Sequence, residues 1–303
     1  MPRVSIGLPV YNGENFLEAA LVSLLNQTYK DFELIISDNA SSDRTEDICR
    51  SYASKDKRIK YFRNDTNRGA MFNFNRVFEL SSGEYFKWAA HDDAHADTYL
   101  EKCVSMLDQH DSAVLCLPKV RFINGKGEII DDIRPGSRSR GLSPTPHERF
   151  FDLVVSDHII TEIFGLIRTS ALKRIPPQGS YVGSDRVMLG QLALRGHFYE
   201  VPEYLFFHRQ HPQKASNLHR DPLLYDVWYA PERANKRFRF PNWKLLIEHL
   251  RSVRDAPLSG RERVRCYLAM VRWLRAFRHR LIDDALVAMK QSRGYFRRKT
   301  MPA

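Results

Sequence analysis

The chain has no Cys-x-x-Cys pair, no apolar run near the length of a membrane span, and neither of the glycine-rich loops that cradle phosphates. Each absence excludes something. The four cysteines, Cys49, Cys103, Cys116 and Cys266, are widely spaced, which suits reduced, buried thiols rather than a disulfide framework or a structural zinc site. The longest apolar runs, such as AVLCL at residues 113–117, are far short of the roughly 20 residues a spanning helix needs. The opening MPRVSIGLPV passes straight into polar YNGEN, without the basic, apolar and small-residue succession of a secretory signal; a place inside the cell is the expectation. With no Gly-x-Gly-x-x-Gly after the first apolar stretch and no Gly-x-x-x-x-Gly-Lys-Ser/Thr anywhere, neither a dinucleotide dehydrogenase nor a P-loop NTPase is supported.

What is present is enough apolar material for a large core: 303 residues, 43% hydrophobic. The net charge of +11 suggests nucleic acid until its distribution is read. Residues 232–303 hold 19 Lys and Arg against 6 Asp and Glu, and residues 1–231 hold 28 against 30. The basicity belongs to the tail. Along residues 1–110, β-rich runs at 4–11, 32–39, 59–64 and 84–90 alternate with segments of helical apolar spacing, the second of which has Ser41 or Ser42 as its expected N-cap. That alternation predicts βαβ units and a mainly parallel, nucleotide-binding type of α/β sheet.

In open α/β sheets, ligands sit beyond the carboxyl ends of the strands. Those ends are polar here: Pro9, Tyr11, Asn12 and Glu14 after the first strand, Asp38 and Asn39 after the second, Asn67, Arg68 and Gly69 after the third, His91, Asp92 and Asp93 after the fourth. Any one of them has an ordinary explanation, Asp38 as a helix cap or Asp92-Asp93 as a solvated turn; four on one edge point to a site. Two adjacent carboxylates repel, and a hard divalent cation, Mg²⁺ or Mn²⁺, relieves that repulsion while sharing its open positions with substrate phosphates. Asp92 and Asp93 are therefore the expected metal ligands, with His91 and His95 as further candidates.

The stretch VSIGLPVYNGENFLEAALVSLLNQTYKDFELIISDNASSDRTEDI resembles the opening of family 2 glycosyltransferases of the GT-A fold. The likeness rests on Pro9 to Asn12, then Ser23, Gln27, Tyr29, Phe32 and Glu33, then Asp38, Ser41, Asp43 and Thr45, and continues in the Asn67-x-Gly69 loop and the WAAHDD segment. It is dense over residues 3–110 and weaker to about residue 216. The resemblance implies a GT-A type, Rossmann-like twisted sheet flanked by helices, and a nucleotide-sugar donor, uridine diphosphate linked, held by Pro9, Tyr11, Asn12, Glu14, Asp38, Asn67, Gly69 and Asp92. The family's metal motif reads Asp-x-Asp-Asp; here Ala90 stands at the first acid, a departure that leaves its ribose or sugar contacts without a residue.

The second half, residues 111–231, is expected to supply the acceptor side. TEIFGLIRTSAL at 161–172 would line the acceptor pocket, and Asp185 matches the acid that precedes the family's late amphipathic helix. Inverting transfer needs a base within reach of the acceptor hydroxyl, and Asp185 is the expected one, with Glu162 and Asp157 next; its ordinary reading is an acid complementing a helix N-terminus. Arg209 is expected on the diphosphate and His211 on the metal or phosphate, unless HRQHP is merely an exposed loop. The tail, residues 232–303, reads as one or two amphipathic helices: Val264, Tyr267, Leu268, Val271, Leu274 and Phe277 recur near helical spacing with arginines between them. It either packs on the catalytic domain or attaches to anionic lipid with Trp273 as an aromatic anchor. The expected activity is inverting, metal-assisted transfer of a sugar to a hydroxyl of a glycan or lipid-linked acceptor. The alternatives are a nucleotidyltransferase, which would want a basic glycine-rich loop in place of PVYNGEN, and a nucleic-acid-binding protein, which would leave the acidic strand ends unexplained.

Overall fold

Strand β1 (Val4–Val10) is buried along its whole length, the mark of a strand covered on both faces. The computed structural model describes residues 1–130, 140–156, 158–214, 227–229, 231 and 240–299, the last with side chains through 289. The remaining strands are β2 (Phe32–Asp38), β3 (Ile59–Arg63), β4 (Tyr85–Trp88), β5 (Ala94–His95), β6 (Ala113–Ile123), β7 (Leu166–Arg168) and β8 (His197–Arg209). They form one eight-stranded sheet in the order β3-β2-β1-β4-β7-β6-β8-β5. β1 to β4 are mutually parallel, β6 and β8 run with them, and the short β7 and β5 run against them. Hence the carboxyl ends of β1, β2, β3, β4 and β8 meet at one edge.

Two apolar layers sandwich the sheet. Alternate residues of β1, Val4, Ile6, Leu8 and Val10, pack with Leu17 and Leu21 of α1 (Leu17–Leu25), Ile48 of α2 (Thr45–Lys55) and Leu100 and Leu107 of α4 (Tyr99–Gln109). The other layer joins Val77 of α3 (Ala70–Glu79), Phe150 of α5 (Pro146–Val155), Ala171 of α6 (Thr169–Leu172), Met188 of α7 (Ser184–Ala193), Val253 of α8 (Pro241–Asp255) and Trp273 of α9 (Gly260–Lys299). Helix α3 lies so close to β1 that a Cβ on Gly7 would meet Val77 at 2.7 Å and Phe86 at 2.8 Å.

Two expectations need correction. Helix α2 begins at Thr45 with Arg44 as N-cap, not Ser41 or Ser42; Asp43 Oδ1 accepts from the Thr45 amide at 3.0 Å, while Ser41 Oγ accepts from the Asn12 amide at 2.9 Å and the Ser42 amide donates to Asn12 Oδ1. In the tail, the inward face of α9 is Cys266, Ala269, Met270, Trp273 and Leu281. Val264, Tyr267, Leu268, Val271 and Leu274 point outward instead, and Trp273, 3% exposed, packs on His249 and Phe277. It is no surface anchor. The expected boundary at 231–232 falls beside residues 232–239, outside the described residues.

Candidate active site

Pro9 sits where its missing amide costs nothing: β1 pairs with β4 only as far as Gly7 with Trp88, so no ladder bond to β4 is lost beyond it. After Val10 the chain turns through Asn12, at φ 50°, a left-handed conformation that asparagine tolerates better than most residues. The β1–α1 and β2–α2 loops are then latched together. Asn12 exchanges bonds with Ser41 and Ser42, the Gly13 amide donates to Thr45 Oγ1 at 2.8 Å, the Glu14 amide donates to Asp43 Oδ2 at 3.0 Å, and Glu14 Oε2 accepts from the Arg44 amide at 3.1 Å. Tyr11, 44% exposed, projects outward from this latch.

Asp38 is completely buried. Its Oδ1 accepts from the Ser41 amide at 2.9 Å, and its Oδ2 accepts from Tyr61 Oη at 2.9 Å and from the Arg63 guanidinium. The acid expected to contact the nucleotide directly is thus used within the protein, where it holds the end of β3 to the end of β2. Arg63 was not singled out in the sequence, although it is the register partner of Asp38 across β2 and β3. Burial comes first among the influences on the Tyr61 phenol, and with the bond to Asp38 it pushes the group well up from its usual value. On the next loop Asn67 Oδ1 accepts from Asn39 Nδ2 and from the Gly69 amide, and Gly69, at φ 84°, opens α3. Asn67 and Arg68 border a cavity of about 480 Å³ with Phe72, Asn75, Glu79 and Ser180; Asp92 does not line it.

The paired acids face different ways. Asp93 is 1% exposed, with His208 Nδ1 at 3.1 Å from each carboxylate oxygen and the Arg209 amide donating to Oδ1 at 2.9 Å. Asp93, expected as a metal ligand, is thus engaged within the protein, its carboxylate tying the end of β8 to the turn after β4. Lys214 Nζ lies 2.6 Å from His208 Nε2, extending the chain to Lys214, His208 and Asp93. Asp92 is the partly exposed acid. Its Oδ2 lies 2.9 Å from His211 Nε2, and Oδ1 accepts no hydrogen bond among the described residues. Burial pushes the Asp92 carboxyl up, but the His211 contact and the nearby His91, Lys214 and His208 outweigh it and hold the group well below the usual carboxylate range.

Arg209 does not extend toward a ligand. Its guanidinium donates to the carbonyls of Asp92 (2.8 Å), Asn124 (3.1 Å) and Gly125 (3.3 Å) and lies 4.9 Å from the Phe16 ring centroid. It is a strut beneath Asp92 rather than a phosphate clamp. Phe16 also meets the His211 ring at 4.6 Å between centroids, so α1, β8 and the Asp92 turn converge. His95 is turned inward, with Nε2 3.0 Å from buried Lys87 Nζ and its ring edge-on to Tyr99; it is not placed to bind a metal beside Asp92. Glu162 is fully buried, accepting from the Arg140 and Thr161 amides, which removes it as a fallback base. Asp157 lies outside the described residues. Asp185 is half-buried in the first turn of α7; next to it, Ser184 Oγ lies 3.5 Å from Met71 Sδ of α3, so this helix end abuts the helix that Gly69 opens.

The residues fit a divalent cation in one respect: Asp92 offers an ionised hard oxygen at the strand edge. Among the described residues, no cluster of three or more His, Cys, Asp or Glu is arranged to hold a metal, so most of the coordination would come from substrate and water, as is usual for Mg²⁺.

The family model for glycosyl transferase family 2 matches residues 5–175, more than half of the chain, taking in the ends of β1 to β4 and stopping short of α7 and β8. The chain belongs to this family. It is 36% identical over 138 residues to an uncharacterised glycosyltransferase of Rickettsia typhi, a match covering 45% of the chain and 42% of the relative; the chain therefore spans less than half the length of that relative. Among solved structures it is similar to S. aureus TarS 1–349 in complex with UDP-GlcNAc, with TM-score 0.62, 17% identity, 90% of this chain and 72% of that one. It is also similar to the mannosyltransferase PcManGT of Pyrobaculum calidifontis in complex with GDP-Man and Mn²⁺, with TM-score 0.53, 16% identity, and coverage of 93% and 88%. At these identities the likeness carries the fold, and the fold of this family 2 member is GT-A.

Proposed function

We propose that this family 2 glycosyltransferase moves a sugar from a nucleoside diphosphate donor, uridine linked, to a hydroxyl of a glycan or lipid-linked acceptor with inversion. The observation that carries the reading is the open Oδ1 of ionised Asp92 at the carboxyl edge of β4, beside a latched loop that presents Tyr11. Tyr11 offers the nucleoside an aromatic face, and Pro9, Asn12, Glu14, Asp38, Asn67 and Gly69 serve the donor by fixing the loops around it. A Mg²⁺ or Mn²⁺ ion held by Asp92 would neutralise charge on the departing diphosphate. Asp93, His208, Lys214 and Arg209 hold that carboxylate and its main chain in place, and His211 orients it from the other side; this assigns Asp93 and His211 to positioning in the account.

Asp185 is assigned as the base. As the acceptor oxygen attacks the anomeric carbon, Asp185 takes its proton and the bond to the diphosphate oxygen breaks on the opposite face. The position of α7 against the start of α3, bordering the cavity by Asn67 and Ser180, supports an acceptor approach from that side. The test is Asp185→Asn assayed with a true acceptor found by screening donor and acceptor sugars. Turnover should fall about a hundredfold or more while donor affinity measured with Mn²⁺ stays near the parent value. Parental transfer by Asp185→Asn would remove it as the base.

A further inference from the structure

Helix α9 spans 40 residues, about 60 Å at the usual rise, and it is apolar on two opposite sides. One side is the inward row already described. Directly across the helix axis, Val264 (60% exposed), Leu268 (59%), Val271 (42%), Ile282 (56%), Leu286 (44%) and Met289 (50%) form a second row. Their spacings of three, four and seven residues, with eleven across the centre, keep them within one face of a 3.6-residue helix. A soluble helix that has packed one apolar face has no need of another, and contiguous exposed apolar surface marks an interaction site.

The charges beside this row say what meets it. Arg261, Arg272, Arg275 and Arg278 are exposed on the same outer half of the helix, Arg275 in the gap at the centre of the row, with Asp283 the one exposed acid among residues 261–289. A second copy of the helix laid on this face would bring like charges together. An anionic lipid surface would accept both features, the arginines at headgroup level and the aliphatic row below them. We propose that the outer face of α9 is a docking surface for anionic bilayers, lying flat in the interface while the inner face holds the catalytic domain. The proposal does not depend on the catalytic reading, since binding is read without substrate.

The test is co-sedimentation of the full chain with phosphatidylcholine vesicles, with and without a quarter of phosphatidylglycerol. The chain should bind the anionic vesicles, bind the neutral ones about tenfold or more weakly, and be released by high salt. The triple variant Val264→Ser, Leu268→Ser, Val271→Ser should lose about tenfold or more of that binding and keep the parental melting temperature, because these side chains touch no core. A second variant, Arg275→Ser with Arg278→Ser, at two exposed positions of the outer half, guards against a folding artefact and should lose anionic binding alike. Equal binding by parent and both variants would overturn the proposal, and so would an absence of vesicle binding. A parent that is dimeric in light scattering and becomes monomeric in the triple variant would overturn it in favour of self-association.

Discussion

At Asp93 a carboxylate receives His208 Nδ1 and the Arg209 amide inside the protein, so Asp93→Asn should leave a buried donor poorly matched. A loss of about 1–3 kcal/mol of stability is expected, checked by urea unfolding; an Asp93→Asn protein as stable as the parent would contradict the anchoring role. Lys87 gives a second residue-scale test. It is fully buried, donates to the Phe164 carbonyl at 2.9 Å and lies 4.4 Å from the Tyr99 ring centroid, and burial lowers its pKa from 10.5 to about 7. Below that value the lysine is charged in folded and unfolded chains alike and the burial cost is complete; above 10.5 it is neutral in both. In between the unfolded chain binds the extra proton, so stability rises with pH by up to about 1.4 kcal/mol per unit. Lys87→Met should therefore gain stability relative to the parent near pH 7, by a margin that shrinks toward about pH 10 as the cost disappears; a constant margin would show that the lysine does not titrate there. The sequence singled out the acid pair, but not which of the two acids faces out. The side chains that decide it, His208, Arg209 and His211, are more than a hundred residues away, and spacing says nothing about their approach.

Among the elements, β1 to β4 and the helices between them were legible because a parallel sheet demands apolar runs separated by amphipathic helices. β5 and β7 were not, since two or three residues carry no period. The motif residues Asn12, Glu14, Ser41, Asp43 and Thr45 lie on two adjacent loops, and much of their bonding is to one another. Thr45→Val, which removes the acceptor of the Gly13 amide, should weaken donor binding by about tenfold while costing only about 1 kcal/mol of stability, measured by calorimetry and thermal melting; an unchanged affinity would detach the latch from the donor site. The contact of β1 with α3 leaves no room for a methyl group at Gly7, so Gly7→Ala should destabilise the fold by about 1–3 kcal/mol. In α9 the sequence showed an amphipathic helix but not its inner face, because both sides of it are apolar.

For the whole molecule, the sheet brings four strand ends, the β8 loop and the α7 terminus to one edge, while the basic helix α9 lies on the layer formed with α5 and α8. The surplus of positive charge lies on the tail, while the proposed donor edge pairs Asp92 with His211 and Asp38 with Arg63. The nucleic-acid reading has no role for this edge. The most direct measurement is calorimetric titration of UDP and a UDP-sugar into the full chain, with Mn²⁺ and with chelator, for the parent and Asp92→Asn. Binding by the parent that requires Mn²⁺ and weakens about tenfold or more in Asp92→Asn is the predicted result. Binding of equal strength with chelator, or an Asp92→Asn protein that binds like the parent, would contradict the central claim that this carboxylate holds the metal on which the donor rests.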